Sequence, residues 1–476
     1  MAGITIHEFD AVVAKAPGSF DDDGLFAVPT NVFTWLESQA FRAADVGNTV
    51  WLRMTQRRGR HAVQVTSFVG VIRAPDGFQI EVLPKIGKAT GGPDGEVRQL
   101  LINMLRCLGG FRHVQTDSAN LVAARMPLLE VFIGEFLRAV GGIVKRGLRS
   151  NYRPQQDNVF ALRGKLQIAG HLRQNLCRRD RFLAEFDEFS MNRPENRLLH
   201  AALRRVLSWT ATQTHQQLAR ELCFVFADIP LSEQPSVDFS MVQIDRGMGQ
   251  YADALGWASL ILVDHSPLTG AGGYKAPSLL FPMEAVFEAY VAKHLTRQLA
   301  SPFALKTQAR SFSLVSHQGQ KWFRLKPDLL IHESGSNRLI LDTKWKLLDG
   351  KKATGTDKYG LNQSDFYQLH AYGHTYLDGQ GDVVLIYPKT DTFNQALSVF
   401  EFPKSSGLRL WVLPFCLRRR FSFCQLVVAL TLTLTLMRQG RRSRSRKCPT
   451  LLKHKKGFVV TRTSAPARRM AALRNG

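Results

Sequence analysis

Asp328, Asp342 and Lys344 are the residues whose types and spacing suggest chemistry. Cleaving a phosphodiester needs a hydroxide aimed at phosphorus and positive charge to neutralise the transition state. A hard divalent cation such as Mg²⁺ supplies both, held by a few carboxylates with its other positions left to water and substrate. A lysine beside the metal can orient the water and hold a phosphate oxygen. The chain offers this set in Lys326-Pro327-Asp328 and in Leu339-Ile340-Leu341-Asp342-Thr343-Lys344-Trp345-Lys346. Residues two apart on a strand share a face, so Asp342 and Lys344 are expected to project together while Thr343 points away. The five-residue turn Glu333-Ser334-Gly335-Ser336-Asn337 is short enough to bring Asp328 alongside them. The apolar run 339–341 marks a strand buried in a sheet. Charges at its end need a purpose, because burying them unpaired is costly.

An Asp-x-Lys alone is common and means little. A Pro-Asp followed at hairpin distance by an apolar strand ending in Asp-x-Lys is much rarer. The bland alternative is a surface ion pair across a hairpin, worth ~0.5 kcal/mol. Two flanking features favour the catalytic reading. Glu288 lies in the helical pattern before the hairpin, placed to add a third metal-binding carboxylate; otherwise it is a solvated helix glutamate. Gln368 and Tyr372 are four apart on one helix and share a face. As auxiliary residues they would steady the lysine or a DNA phosphate; otherwise they form a half-buried amphipathic stripe.

The elements that must position these residues follow from pattern. Residues 283–299 read as a helix, 323–332 and 338–346 as strands, 364–376 as a helix and 383–387 as a short buried strand. This αββαβ order implies a mixed sheet flanked by helices. Upstream, residues 1–90 read as mainly β, with Ala74-Pro75-Asp76-Gly77 as a strong turn before an alternating strand. Gly91 to Gly95 (GGPDG) reads as a hinge, and 97–108, 126–148 and 195–225 as helical. A Gly/Ser/Pro-rich stretch at 266–277 marks a boundary. The expected architecture is a multidomain α/β (α+β) protein. It comprises a β-rich part (1–90), a mainly helical basic middle (91–275), an αββαβ part (276–415) and a basic tail (416–476).

The chain has 476 residues, enough for two or three domains, and a formal net charge of +24. That charge is concentrated at one end. The 75 residues after Glu401, the last acidic residue, hold 18 of the 63 Lys and Arg. The rest has 45 basic against 39 acidic residues, a net charge of only +6. The pI is therefore no sign of a DNA-coating surface. Residues 144–181 carry ten basic residues against Asp157 and Asp180. Such a segment either faces phosphates or is the solvated face of a helical region. Six scattered cysteines, with no CxxC or zinc-ligand spacing, fit a reduced cytoplasmic protein. The N-terminus lacks a secretory signal, and no segment before residue 400 is apolar enough to span a bilayer.

With these residues in place, the chain resembles the PD-(D/E)xK nuclease superfamily, and within it the McrC family of McrBC-type modification-dependent restriction systems. The likeness covers most of residues 50–415. It includes Glu81-Val82-Leu83-Pro84-Lys85-Ile86, Arg163-Gly164-Lys165-Leu166, Phe186-Asp187-Glu188-Phe189-Ser190 and Pro194-Glu195-Asn196-Arg197-Leu198. It continues through Leu341-Asp342-Thr343-Lys344-Trp345-Lys346, Ser364-Asp365-Phe366-Tyr367-Gln368 and Leu410-Trp411-Val412-Leu413-Pro414-Phe415. The resemblance implies a restriction-endonuclease-like core using Mg²⁺ at Asp328, Asp342 and Lys344, with Glu288 as the upstream helix acid. It also implies that the N-terminal part docks on a hexameric AAA+ GTPase that recognises modified cytosine in DNA, such as 5-methylcytosine. The chain would stimulate that partner's GTPase and cut after translocation. No GxxxxGK[ST] occurs, so GTP is expected on the partner and not on this chain. Two further readings are a non-cleaving assembly factor that activates the GTPase, and a repair-type exonuclease, since Gln368-x-x-x-Tyr372 also occurs in recombination nucleases. The tail from about Cys416 departs from the family and is expected to be an altered frame or an unrelated extension.

Overall fold

The computed structural model describes residues 3–417, apart from 16–24, 46–49, 91–92, 109–125, 179, 263–278, 310–311, 354–355 and 406. The expected boundary at 266–277 and the tail beyond Leu417 therefore lie outside the described residues. The chain is a mixed α/β protein with several sheets. Among the described residues no helix is long and apolar enough to cross a membrane.

The first 90 residues form strands, as their β-branched and aromatic runs predict. Ala11–Ala14 pairs with Phe26–Val28 and Arg60–Val65, and Leu52–Arg57 completes that sheet. A second sheet orders Gly3–His7, Gln79–Leu83, Phe68–Arg73 and Leu280–Pro282. The Ala74-Pro75-Asp76-Gly77 turn closes its hairpin, with the Gly77 N–H donating to the Ala74 carbonyl at 2.9 Å. A helix, Thr30–Asp45, was not expected there. Val32, Phe33, Leu36 and Ala40 recur at helical spacing and bury one stripe in the core that both sheets share.

Helices dominate the middle: Asp94–Leu105, Leu128–Arg146, Pro194–Trp209, Gln213–Val225 and Gly249–Leu262. The basic segment 144–181 is only partly helical, however: Lys145 and Arg146 end the helix Leu128–Arg146, and Arg173 lies on the helix Ile168–Gln174. Beyond the helix ending at Arg146, Asn151–Val159 pairs along its full length with Phe182–Ser190 in an antiparallel ribbon. Buried Ala184 and Phe186 alternate with exposed Glu185 and Asp187, the period of two of a half-buried strand.

The third region is a six-stranded sheet ordered Phe303–Thr307, Leu329–Glu333, Ser336–Thr343, Gly381–Pro388, Leu408–Phe415 and Phe400–Glu401. Its three central strands, Ser336–Thr343, Gly381–Pro388 and Leu408–Phe415, run parallel. Their centres are buried apolar runs; Leu339, Ile340 and Leu341 are each 0% exposed. The helix Gln363–Leu377 makes the crossover and buries Leu369, Tyr372 and Tyr376 in the same core. A second helix, Met283–Gln298, packs nearby and begins immediately after Leu280–Pro282 of the N-terminal sheet.

Three expectations here are corrected. Residues 323–332 are not one strand. Gln320–Arg324 folds onto Ser313–His317 as a separate hairpin, and Phe323 has φ 54°, which breaks the extended run. The turn before the site strand has two residues rather than five: Ser334 and Gly335, at φ 48° and 86°, form the primed turn that suits strand twist. The site strand stops at Thr343 rather than reaching Lys346, because the Lys346 N–H turns back to the Lys344 carbonyl at 3.0 Å.

One glycine stands where the late strand Leu280–Pro282 joins the N-terminal sheet, between Val82 and Leu280. Gly70 has φ +131°, and a Cβ there would lie 2.0 Å from the Leu279 carbonyl oxygen. Gly70→Ala should therefore push Leu280–Pro282 off the sheet and cost about 3 kcal/mol. A melting temperature within a degree of the wild type would refute this account of the junction.

Candidate active site

Strand register brings the distant acids together. Leu329 pairs with Leu341, and continuing the antiparallel register by one residue sets Asp328 opposite Asp342. On its other side Asp328 is flanked by the strand Phe303–Thr307, where the Gln308 N–H donates to the Asp328 carbonyl at 2.8 Å. Lys344 follows the strand's last residue, its N–H held by the Ile386 carbonyl at 2.9 Å.

Asp342 and Lys344 do meet. The Lys344 ammonium lies 2.6 Å from Asp342 Oδ2 and 4.0 Å from Asp365 Oδ1. It also donates to Gln368 Oε1 at 3.2 Å. The Gln368 amide donates in turn to the Tyr372 hydroxyl at 2.8 Å, and that hydroxyl donates to the Lys326 carbonyl at 3.0 Å. Each group in this chain has its donor or acceptor matched, which fixes the lysine from both sides.

Asp328 is held differently. Its Oδ2 accepts from the Thr343 N–H and the Thr343 hydroxyl, both at 2.8 Å. Thr343 does not simply point away, as strand alternation predicts; at the strand end its hydroxyl reaches the carboxylate opposite. Glu288, on the Met283–Gln298 helix, accepts from Gln308 Nε2 at 3.1 Å.

The electrostatics show how crowded this end of the sheet is. Burial first, and then the nearby Asp328 charge, push the Asp342 carboxyl up to about 7 against the pull of Lys344. Burial, then Asp328, do the same to Glu288, with the Gln308 hydrogen bond opposing. Burial works to lower the Lys344 ammonium, but Asp342, and after it Asp328 and Asp365, more than offset this and raise it. Asp342 is only 1% exposed, and no hydrogen bond reaches its Oδ2 in good alignment; the ion pair with Lys344 stands in its place.

These residues fit a hard divalent cation. The donors are carboxylate oxygens alone, without the sulfur or imidazole that zinc prefers. A buried acid with an under-used oxygen beside a second acid is a place where a cation relieves repulsion. Among the described residues no three His, Cys, Asp or Glu side chains close into a cage around one ion. The arrangement therefore centres on the two facing aspartates, which is within the one or two carboxylates that Mg²⁺ ordinarily takes. Glu288 shares their electric field.

Three contributors escaped the sequence reading. Asp365 lies in the first turn of the Gln363–Leu377 helix, where the dipole favours an acid, and Tyr387 donates to its Oδ2 at 3.2 Å. Its position three before Gln368, on the same helix face, was the available signal. The Thr343 hydroxyl and Gln308 carry no such signal, since their partners come from strand register.

The chain belongs to the family described as McrBC 5-methylcytosine restriction system component, whose model matches residues 63–388. Its fold is similar to that of a chain in the refined half-complex from the tetradecameric assembly of Thermococcus gammatolerans McrB AAA+ hexamers with bound McrC. That match has a TM-score of 0.62 at 16% identity and covers 92% of this chain and 100% of the other. A chain in the cryo-EM structure of the Thermococcus gammatolerans McrBC complex matches at TM-score 0.46 and 19% identity, covering 63% and 89%. No curated protein matches the chain.

The crowding has a measurable consequence. Asp342 ionises near pH 7 when folded but near its ordinary 3.8 when unfolded, so the folded state holds that proton more tightly. Stability should therefore fall as pH rises from about 4 to about 7. Asp342→Asn lacks this loss. Without divalent cation it should be more stable than wild type by about 1–2 kcal/mol at pH 8, and by little at pH 4. Thermal melts at the two pH values test this; equal differences at both would contradict it.

Proposed function

We propose that this chain is the McrC-type nuclease subunit of a modification-dependent restriction complex. It hydrolyses DNA that carries modified cytosine, together with an AAA+ GTPase partner whose GTP hydrolysis it stimulates. One observation carries the reading: Asp328 and Asp342 face each other at the end of a buried strand, with the Lys344 ammonium 2.6 Å from the second acid. Membership of the restriction-system family supports it, as does the likeness in fold to a chain from an assembly of McrB hexamers with bound McrC.

Asp328 and Asp342 would hold Mg²⁺, which when bound supplies charge neutralisation at phosphorus and a more acidic water. Asp328, pinned by Thr343, keeps one oxygen free to face that position. Lys344 offers a proton donor beside Asp342, suited to a non-bridging phosphate oxygen or to orienting the attacking water. Gln368 and Tyr372 keep the ammonium from swinging away, which is the auxiliary role their shared helix face suggested. Glu288 adds negative charge at the rim and tightens the site's demand for a cation.

The test is cleavage of methylated supercoiled plasmid by the chain with its AAA+ partner, GTP and Mg²⁺. Asp342→Ala and Lys344→Ala should each lower the cutting rate by about 10³-fold or more while the partner's stimulated GTPase is retained. Cutting at the wild-type rate by either variant would reject the assignment. Closed circles have no ends, so their cleavage also excludes an end-dependent exonuclease.

A further inference from the structure

The site strand does not run out into solvent. Immediately after Lys344, Trp345 is 4% exposed and is gripped by residues more than 250 positions away. Its indole N–H points at the Glu8 carboxylate, 3.0 Å from each oxygen. Its backbone carbonyl accepts from the Lys85 ammonium at 2.9 Å. The ring leans on Phe287, with centroids 5.3 Å apart, and Phe287 is the neighbour of Glu288 on its helix.

Glu8 follows the strand Gly3–His7, and Lys85 follows Gln79–Leu83, which pairs with it. The Lys85 N–H donates to Glu8 at 2.9 Å, and the Lys85 ammonium sits 4.8 Å from the Phe9 ring centroid. Burial pushes the Glu8 carboxyl up to about 7 and lowers the Lys85 ammonium, as charges taken out of water require.

Such a set is a poor way to stabilise a core. Taking two charged groups out of water consumes most of what their attraction returns, and apolar side chains of similar volume often do as well. Directional bonds provide something that apolar packing does not. The indole hydrogen bond fixes the ring's rotation, and the ammonium fixes the plane of the peptide after Trp345. Both constraints fall within two residues of Lys344, just where the chain turns back on itself at Lys346.

We propose that Glu8 and Lys85 are positioning residues for Lys344: through Trp345 they fix the backbone from which its ammonium reaches Asp342. The N-terminal sheet then helps set the reactive geometry, together with the six-stranded sheet that carries the acids. This inference rests on the nuclease reading above, and its test includes a readout that does not need cleavage.

The full-length chain is assayed with its AAA+ partner, GTP, Mg²⁺ and methylated plasmid, as wild type, Glu8→Ala and Glu8→Gln. Glu8→Ala should slow single-turnover cutting ten- to a hundredfold, with half-saturating DNA and stimulated GTPase unchanged. Glu8→Gln keeps an oxygen for the indole N–H and should recover to within about threefold of wild type. In chains labelled with 5-fluorotryptophan, the Trp345 ¹⁹F line, identified by its loss in Trp345→Phe, should move in Glu8→Ala and stay near wild type in Glu8→Gln. It should also move in Lys344→Met, showing that the two positions sense each other.

Wild-type cutting by a folded Glu8→Ala chain overturns the proposal. So does equal loss of cutting and GTPase, which marks a merely structural residue, or a Glu8→Gln chain as slow as Glu8→Ala. Should Glu8→Ala fail to fold, Trp345→Phe, which keeps a ring but loses the donor, must show the same selective loss of cutting. A wild type that cuts nothing refutes the nuclease reading instead. The ¹⁹F line still decides the positioning role, which fails if the line is indifferent to Glu8→Ala or to Lys344→Met.

Discussion

The ion pair between Asp342 and Lys344 is the constraint around which the C-terminal region is organised. An aspartate with 1% exposure directly after the buried apolar run Leu339–Leu341 is unfavourable by itself, and the facing Asp328 makes it more so. The ammonium offsets part of that cost, and much of the surrounding structure exists to keep the ammonium there. Asp365 approaches it from the crossover helix, Gln368 Oε1 accepts a hydrogen bond from it, and Tyr372 anchors Gln368 to the Lys326 carbonyl just before Asp328. The sheet positions Asp328, Asp342 and Lys344, and the helix packed on it supplies Asp365, Gln368 and Tyr372, which hold the ammonium.

This division explains what could and could not be read from sequence. Asp342, Lys344, Gln368 and Tyr372 are local pairs whose shared face follows from the period of a strand or a helix, and the structure brings them together. Asp328 was reached by counting across a hairpin. That pairing holds even though the turn has two residues and not five, because a one-residue register shift between Ile331 and His332 restores it. Thr343 and Gln308 were missed because hydrogen bonds at a strand's end are set by neighbouring strands, which no single segment encodes. The ribbon formed by Asn151–Val159 and Phe182–Ser190 does not follow from the charge of residues 144–181, since its two strands hold a single basic residue, Arg153; its signal is the alternation of Ala184 and Phe186 with Glu185 and Asp187.

The N-terminal strands were legible as strands but not as neighbours of the candidate active site. Val12, Val63 and Ile80 signal a buried β core, which the structure contains. Nothing in that pattern distinguishes Glu8 or Lys85 from ordinary polar residues at strand ends. Their meaning appears only once the chain has folded back and Trp345 lies between them. Long-range polar contacts of this sort are where pattern reading stops and geometry becomes necessary.

The edge strand Leu280–Pro282 has an implication for how the molecule is made. Phe68–Arg73 emerges from the ribosome some two hundred residues before the segment that completes its sheet. Until Leu280 is synthesised, the backbone amides and carbonyls along that edge have no strand to pair with, and loose edges invite association between nascent chains. Contacts so far apart in sequence also form slowly. Completion of that sheet is thus tied to the arrival of the very helix that carries Glu288, so assembly of the candidate active site comes late in biogenesis.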